Sequence, residues 1–526
     1  MRLAIGDFAP DLDPVISGIA RDNIPPRAMA ILVDSQWVYS TRGGIRNMPG
    51  PTPYASPLSS TALGAFVAQI GGQSVLVLAT ANQLYLVPGG ALVNQGLTLK
   101  NISNPWSFAA YGADLLATDG VDPVQVSTNG GPFMALPGNP PIFAILSSNP
   151  FSLFGIPPNS QDYWFTFNDT LWTPNIATLT GTGTLSSTPG FITAAKSLRA
   201  GEALFKAQSL FYGSFIGTGD IWDFNPVDDT IGTPGPNSAV EVVGPTIFGG
   251  GPVLIFVGPS DFYVFDGFSL NEIPNNLSRW FFGSNSLNGD LDSAYAPNIF
   301  AQWDQPRTQI IFWYPSVRAN PRGTLDSYIS LSLVTGKWMR GSRTIDTPLQ
   351  GILPASTGWT YARFQNTYGS YAPLPPYPPV PTPSPGVPHL TYGSSMFVGS
   401  TVLLTGYVDS NHALQVLNGP YLAVRGASVT LAGIGDKVNV YQISRALPGF
   451  NQYPQGQPMA SPAKLRIFGT YVAGQQPIQK GKDVPISDTG FFDFVSTDKI
   501  QRPQVEWYSD AELADLEVEV DYAGEN

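Results

Sequence analysis

The chain offers few side chains able to run acid–base or nucleophilic chemistry. Only His389 and His412 supply imidazole, and the absence of cysteine removes disulfides, thiolate metal sites and thiol nucleophiles. His389 borders a proline tract and His412 ends the polar run Asp409-Ser410-Asn411-His412, so both read as turn residues. A Ser-His-Asp triad assembles in space rather than in sequence, yet no Gly-x-Ser-x-Gly elbow is present to hold a nucleophile. Paired carboxylates are the stronger candidates. Asp220/Asp223, Asp228/Asp229, Asp261/Asp266 and Asp290/Asp292 each place two acids close together. Glycoside hydrolysis needs such a pair, with carboxyls ~5–9.5 Å apart and one pKa raised. Asp220, Asp266 and Asp290 adjoin glycine, however, where aspartate is favoured for the hydrogen bonds it makes to its own turn. Turn chemistry is the simpler account of most of them.

Other motifs are weaker. Asp11/Asp13 and Asp290/Asp292 are far shorter than a calcium-binding loop. Gly249-Gly250-Gly251 and Gly181-Thr182-Gly183 have no lysine at phosphate-loop spacing. Asn101, Asn168 and Asn276 match the glycosylation pattern, a frequent chance match at this length. No catalytic residue, metal or cofactor is expected.

The elements that would position these residues are strands. Gly 55 and Pro 50 together make about a fifth of the 526 residues, which suits many tight turns and opposes long helices. Hydrophobic residues make up 43% and aromatics 12%, enough for a large core, whereas charged residues are only 12%. The net charge of −12, with no Lys/Arg cluster, excludes nucleic acid as a tightly held ligand, and an acidic surface suits DNA that slides past without sticking. The longest apolar runs, such as Ser74–Thr80, stop well short of the ~20 residues of a membrane helix. The opening MRLAIGDFAPDLDPV lacks a cationic segment followed by a long apolar one, so no signal peptide is expected.

From Ala62 a strand rhythm begins: FVAQI, SVLVLAT and QLYLV, then WSFAAY, DLLATD and PVQVST in the same order. The offset of about 38–40 residues matches the size of a propeller blade. Tyr163–Trp172 reads as a hairpin around Asn168-Asp169, and Ser197–Phe205 as a helix-capable piece. Blade-like units resume at Ser209–Phe224 and Val253–Ile273, whose aromatics alternate between Gly/Asp turns, and five or six candidates precede Pro354. The tract Tyr371–Pro388 can only be extended or irregular, because proline cannot donate to a ladder. Its Tyr371, Tyr377, Pro378 and Pro381 are candidate partner contacts, although a plain domain crossing explains the tract equally well. The closing DLEVEVDY is an amphipathic strand. The fold class is all-β: a β-propeller with an additional C-terminal β domain or closing strands. Residues 1–60 form an irregular arm with a first strand, 61–370 the propeller, 371–388 a Pro-rich loop or linker, and 389–526 a C-terminal β region.

Several phrases follow one another in the order seen in a known family. FAPDLDP at Phe8–Pro14 and NIPPRA at Asn23–Ala28 are followed by SLFYGSFIGTGDIWDFNP, with its Asp-x-Trp-x-Phe-x-Pro pattern at Asp220–Pro226. VLIFVGPSDFYVFDGFSLNEIP, SRWFFGSNSLNGDLDSAYAPN, IIFWYPS and LSLVTGKWMR come next. Together they resemble the tail nozzle and packaged-DNA stabilisation proteins of short-tailed bacteriophages, best over about residues 205–340. The resemblance implies a propeller subunit of a ring, typically a hexamer, in the virion tail. Its partners would be a tail adaptor and a tail fibre or tailspike, and it would retain packaged DNA and pass it during ejection. No site residue carries over, because that family works through surfaces, and the Pro-rich tract has no counterpart in it. A glycan-binding or glycan-hydrolysing propeller acting on host surface polysaccharide is the alternative.

Overall fold

The computed structural model describes residues 2–8, 28–70, 72–100, 102–217, 221–284, 287–354, 403–419, 428–431, 434–435, 439–451, 463–470, 478–486, 492–498, 500–507 and 512–525. Five successive four-stranded antiparallel sheets begin with the strands Gly64–Ile70, Ser107–Tyr111, Ile145–Ser148, Ile192–Leu198 and Ala239–Val242. These first strands touch one another in chain order, and the last touches Phe300–Asp304, the first strand of a seven-stranded sheet. The sheets are therefore blades arranged around an axis, with the first strand of each innermost.

The seven-stranded sheet is two blades joined by one long strand. Phe300–Asp304, Gln309–Tyr314, Leu325–Ser332 and the start of Trp338–Pro348 make blade six. The same strand then runs inward and pairs with Gly406–Asp409, which pairs with Leu414–Gly419, which pairs with Gly50–Pro53. That is blade seven. Its inner segment closes the ring on blade one, because Val67 N–H donates to the Gln350 carbonyl (2.8 Å) and Gln350 N–H to that of Ala65 (3.0 Å).

Residue choice follows position in the ring. Inner strands converge on the axis and carry small side chains, with Ala109, Ala195, Ala239 and Ala301 all buried. Second strands lie between neighbouring blades with both faces covered, so Val253–Val257 is buried throughout and shows no alternation. Outer strands meet solvent, and Trp222–Asp228 is largely half-buried or exposed. The Asp266-Gly267 turn needs a left-handed residue, which Gly267 supplies at φ 95°.

Both ends of the described chain enter a second, twelve-stranded sheet. Arg2–Phe8 pairs in parallel with Ala28–Gln36 and antiparallel with Glu512–Glu525. Glu512–Glu525 also runs along Asn439–Asn451 over most of its length. The alternation expected of DLEVEVDY is present: Leu516 and Val518 are buried and Glu517 is exposed. This sheet is bolted to blades six and seven. Ser35 Oγ donates to the Arg340 carbonyl and accepts from Arg340 N–H, both at 2.9 Å. Trp37 meets Tyr328 and Tyr407 edge-on at 6.1 and 6.3 Å, its N–H donates to the Tyr328 hydroxyl, and the Arg343 guanidinium lies 4.7 Å over its ring.

Several sequence expectations change. Ser197–Phe205 is not helical: it spans the turn between Ile192–Leu198 and Gly201–Lys206, where tertiary pairing overrides the helix preference of Glu, Ala and Leu. Tyr163–Trp172 is not a hairpin either, since the strand stops at Thr166 and pairs with Gly181–Thr184 across a longer loop. The segment 1–60 contributes Arg2–Phe8, Ala28–Gln36, Val38–Ser40 and Ile45–Asn47 to the second sheet and Gly50–Pro53 to the propeller. The propeller also takes Gly406–Asp409 and Leu414–Gly419 from beyond residue 389. Leu353–Pro354 pairs with Leu403–Leu404, so the chain leaves blade seven and re-enters it at one place.

Trp37 is the pivot between the two sheets. Trp37→Ala is expected to cost about 3–5 kcal/mol, the usual range for a buried tryptophan. Calorimetry is expected to resolve two transitions where the parent shows one coupled transition, and an unchanged single transition would show that the two sheets are not joined through this node.

Candidate functional site

The inner strands of all seven blades enclose a central cavity of about 890 Å³, within the usual range for small-molecule sites. Hydrogen bonds between inner strands fix the heights at which their residues face it. Phe66 stands level with Gln350. Ser107 and Leu146 are tied by the Leu146 N–H to Ser107 Oγ bond (2.9 Å), and Ser148 Oγ donates to the Ala110 carbonyl (2.8 Å). At mid-height the wall is apolar, formed by Phe66, Phe108, Leu146, Ala195, Ala239 and Trp303. Phe66 and Phe108 stack at 5.4 Å with their planes 4° apart.

One or two residues further along the inner strands, toward their C-terminal ends, the wall of blades three to five becomes polar: Ser147, Ser148, Lys196, Ser197 and Glu241. Glu202, fully buried, stands behind it at the start of its strand, opposite Ser197. Asn149 Nδ2 donates to Glu202 Oε2 (3.1 Å). Ser197 Oγ donates to Glu241 (3.4 Å). Burial pushes the Glu202 carboxyl up to about 7 against the opposing hydrogen bonds of Ser147 and Asn149 and the charge of Lys196. Burial likewise raises the Glu241 carboxyl and lowers the Lys196 ammonium to about 8. These groups are not legible as a site in the sequence. The available signal is a charged residue inside the otherwise apolar strand Gly201–Lys206, where Lys206 is also fully buried and donates to the Leu185 and Thr188 carbonyls at 2.6 and 2.5 Å.

The carboxylate pairs singled out in the sequence do not meet at this cavity. Asp261 and Asp266 flank the four-residue strand Phe262–Phe265 at opposite ends, about 16 Å apart along the chain. Asp266 accepts from Phe268 and Ser269 N–H, and Asp261 from Asn275, Ser278 and Phe262. Asp228 caps its own turn through Thr230 and Ile231 N–H, bonds that hold its carboxyl below the usual range despite partial desolvation. Asp290 is bound by the Tyr314 hydroxyl (2.7 Å) and by Arg318, and Asp292 by Arg322 (2.6 Å). Turn chemistry accounts for Asp228 and Asp266, whereas Asp290 and Asp292 are buried carboxylates paired with largely exposed arginines. Asp223 is exposed and accepts from Asn225, whereas Asp220 lies outside the described residues.

A carboxylate pair that the sequence reading missed is Asp114, at the start of the strand Asp114–Thr118 in blade two, with Asp169 in a loop of blade three. Burial first, then the hydrogen bond and charge of Asp114, raise the Asp169 carboxyl to about 6. Among the described residues no group of three or more His, Cys, Asp or Glu could hold a metal ion. His412 does sit in a turn, at φ 63° between Gly406–Asp409 and Leu414–Gly419. Its Nδ1 lies 2.6 Å from Asp346 Oδ2, which also accepts from Ala62 N–H (3.0 Å). It thus braces blade seven against the entry to blade one. His389, Tyr371, Tyr377, Pro378 and Pro381 lie outside the described residues. No helix among the described residues is long and apolar enough to cross a membrane.

No family model matches the chain, and no curated protein matches it. Similar solved structures include YCF48 from Cyanidioschyzon merolae, at 12% identity and TM-score 0.33, covering 58% of this chain and 93% of that one. A chain of a mitotic checkpoint complex is similar at 11% identity and TM-score 0.35, covering 60% and 87%. The designed Ika8 protein is similar at 8% and 0.33, covering 69% and 98%. The propeller assignment rests on the chain's own strand pairing.

The Glu202 environment makes stability depend on pH. In the folded chain its carboxyl keeps a proton up to about pH 7, whereas an unfolded one releases it near 4.5, so the folded state binds more protons between these values. Stability therefore falls as pH rises through that window, by at most about 3 kcal/mol from this group. Glu202→Gln is expected to flatten the dependence and raise the melting temperature at pH 7 but not at pH 4.5. An equal effect at both values would refute the assignment.

Proposed function

We propose that this protein is a structural component of a short phage tail, a nozzle subunit that assembles into a ring, retains packaged DNA and passes it during ejection. The observation that carries the reading is where the family-like phrases fall. Those from Ser209 to Arg340 occupy blades four to six, and the chemistry-bearing residues there are committed to scaffold: Asp228 and Asp266 to turns, Asp290 and Asp292 to pairs with Arg318 and Arg322, Phe256, Phe262 and Trp338 to the core. What such a chain presents to its surroundings is loops and surfaces, and closure of the blades leaves those free for neighbours. A ring built from heterologous contacts is the expected assembly, with six copies as in the resembling family. Its partners are a tail adaptor above and a fibre or tailspike beside it, and its place is the virion tail.

Duplex DNA, whose major groove alone is about 12 Å wide, does not fit the blade cavity of about 890 Å³. The DNA path in this reading is the axis of the ring, lined by surfaces of several copies. The net charge of −12 suits that role, since like charges repel and no counterions are released by contact.

Electron microscopy of the purified chain mixed with its cognate portal and adaptor tests the reading. Six-fold density below the adaptor is expected. A monomer that ignores the adaptor would sink the proposal, and retention on a host-glycan array by that monomer would favour the glycan-binding alternative.

A further inference from the structure

Blades two and three meet through a contact between two acids. Asp114 opens the strand Asp114–Thr118, Asp169 lies in the loop after Asp162–Thr166, and their carboxyls are hydrogen-bonded to each other. Two ionised carboxylates only accept and repel at this range, so the bond requires a proton on one of them. Neither blade offers a cation in its place, because the chain has no lysine, arginine or histidine between Lys100 and Lys196. The other groups facing the pair are neutral. Thr128 Oγ1 donates to Asp114 Oδ1 (2.5 Å), and the N–H groups of Thr170 and Asp169 donate to the Asp169 carboxyl. Tyr111, on the adjoining strand Ser107–Tyr111, is the one further titratable group that feels the charge of Asp169.

The loop is fixed at one end and latched at the other. Trp172 is buried in a cluster with Ala109, Leu116 and Val126 of blade two, and its Nε1 donates to the Asp169 carbonyl (2.5 Å). Thr166 Oγ1 donates to the Asn168 and Leu171 carbonyls, bonds internal to blade three. Residues 167–170 reach blade two through the Asp114–Asp169 bond and through the Tyr111 hydroxyl, which is shared between the carbonyls of Phe167 (3.0 Å) and Phe151 (3.2 Å). Phe167 and Leu171 are exposed on this loop, so the latch sets where an apolar surface stands.

We propose that the Asp114–Asp169 pair is a proton-operated clasp, which holds the 167–171 loop on blade two while the carboxyls share a proton and releases it when both are ionised. The sign follows from where the proton is held. Burial first, then the bond and charge of Asp114, raise the Asp169 carboxyl from 3.8 to about 6 in the closed arrangement. A released loop returns it toward its ordinary value, so closing the loop takes up a proton between these limits. Closure is therefore favoured in acid and fades as pH rises through about 6, the proton passing to solvent. The clasp is a property of the single chain and does not depend on any ring it forms.

Amide hydrogen exchange of the whole chain at pH 4.5 and 7.5 tests the clasp, read as protection factors corrected for the intrinsic pH effect on exchange. The reporter is the Leu171 N–H, which donates to the Asn168 carbonyl (2.9 Å) within the loop. Its protection is expected to fall about tenfold from pH 4.5 to 7.5, less than the full displacement implies because the half-buried pair is screened by solvent and salt. Asp169→Asn and Asp114→Asn each replace the shared proton with a permanent amide donor, and each is expected to keep the loop protected at both pH values. A pH effect of Glu202 on the whole chain would persist in both variants. Tyr111→Phe is expected to lower protection at both pH values and leave the pH dependence in place. Protection that ignores pH in the parent chain, or asparagine variants as pH-sensitive as the parent, would overturn the proposal.

Discussion

Everything in the propeller depends on one closure. Six blades in a row would leave an exposed sheet edge and an open wedge of apolar surface, both costly in water. The seventh blade removes them, and it is assembled from three distant stretches of chain: the end of Trp338–Pro348, the pair Gly406–Asp409 and Leu414–Gly419, and the early strand Gly50–Pro53. Around that blade the polar bonds are unusually long-range. Gln302 Nε2 donates to the carbonyls of Leu349 and Gly406 while its Oε1 accepts from Trp313 Nε1, so one buried amide holds blades six and seven together. On the far side, His412 and Ala62 converge on Asp346.

The same region anchors the second sheet. Trp37, Tyr328, Tyr407 and Trp313 form one aromatic node capped by the Arg343 guanidinium, and each ring comes from a different strand or turn. Ring pairs of this kind add about 0.5–1.5 kcal/mol each beyond the area they bury. The propeller's closing blade and the sheet that gathers both ends of the described chain therefore share a single core, in which Trp507 and Leu516 pack with Trp313 and Trp338 as one cluster.

Much of the fold was legible in sequence wherever the pairing is local. Ser209–Phe215, Trp222–Asp228, Val253–Val257 and Phe262–Phe265 lie where short aromatic runs end in Gly/Asp turns, and each pairs with a near neighbour in the chain. The seventh blade left no such trace, because Pro53 meets Gln415 and nothing near either residue encodes the other. Gly201–Lys206 was hidden for a different reason. Buried on both faces, it carries no period of two, and its Glu, Ala, Leu and Lys read as helix formers. The cavity was hidden too, since its lining takes only a few residues from each blade. Glu202 gains its meaning only when Asn149 of the preceding blade is beside it.

Ring closure through Gly50–Pro53 also orders events during synthesis. That strand emerges early and has no partner until translation has delivered Leu414–Gly419. Blades one to six can each form as they leave the ribosome, because their strands are consecutive, but the circle stays open throughout. Completion is a late, long-range step of the kind that makes β-rich chains slow to fold and vulnerable while they wait. A ribosome that stalls between Pro348 and Leu414 would release a chain with six formed blades and two sticky margins. Such fragments are natural targets for proteolysis, so the join that seals the finished molecule also marks incomplete copies for removal.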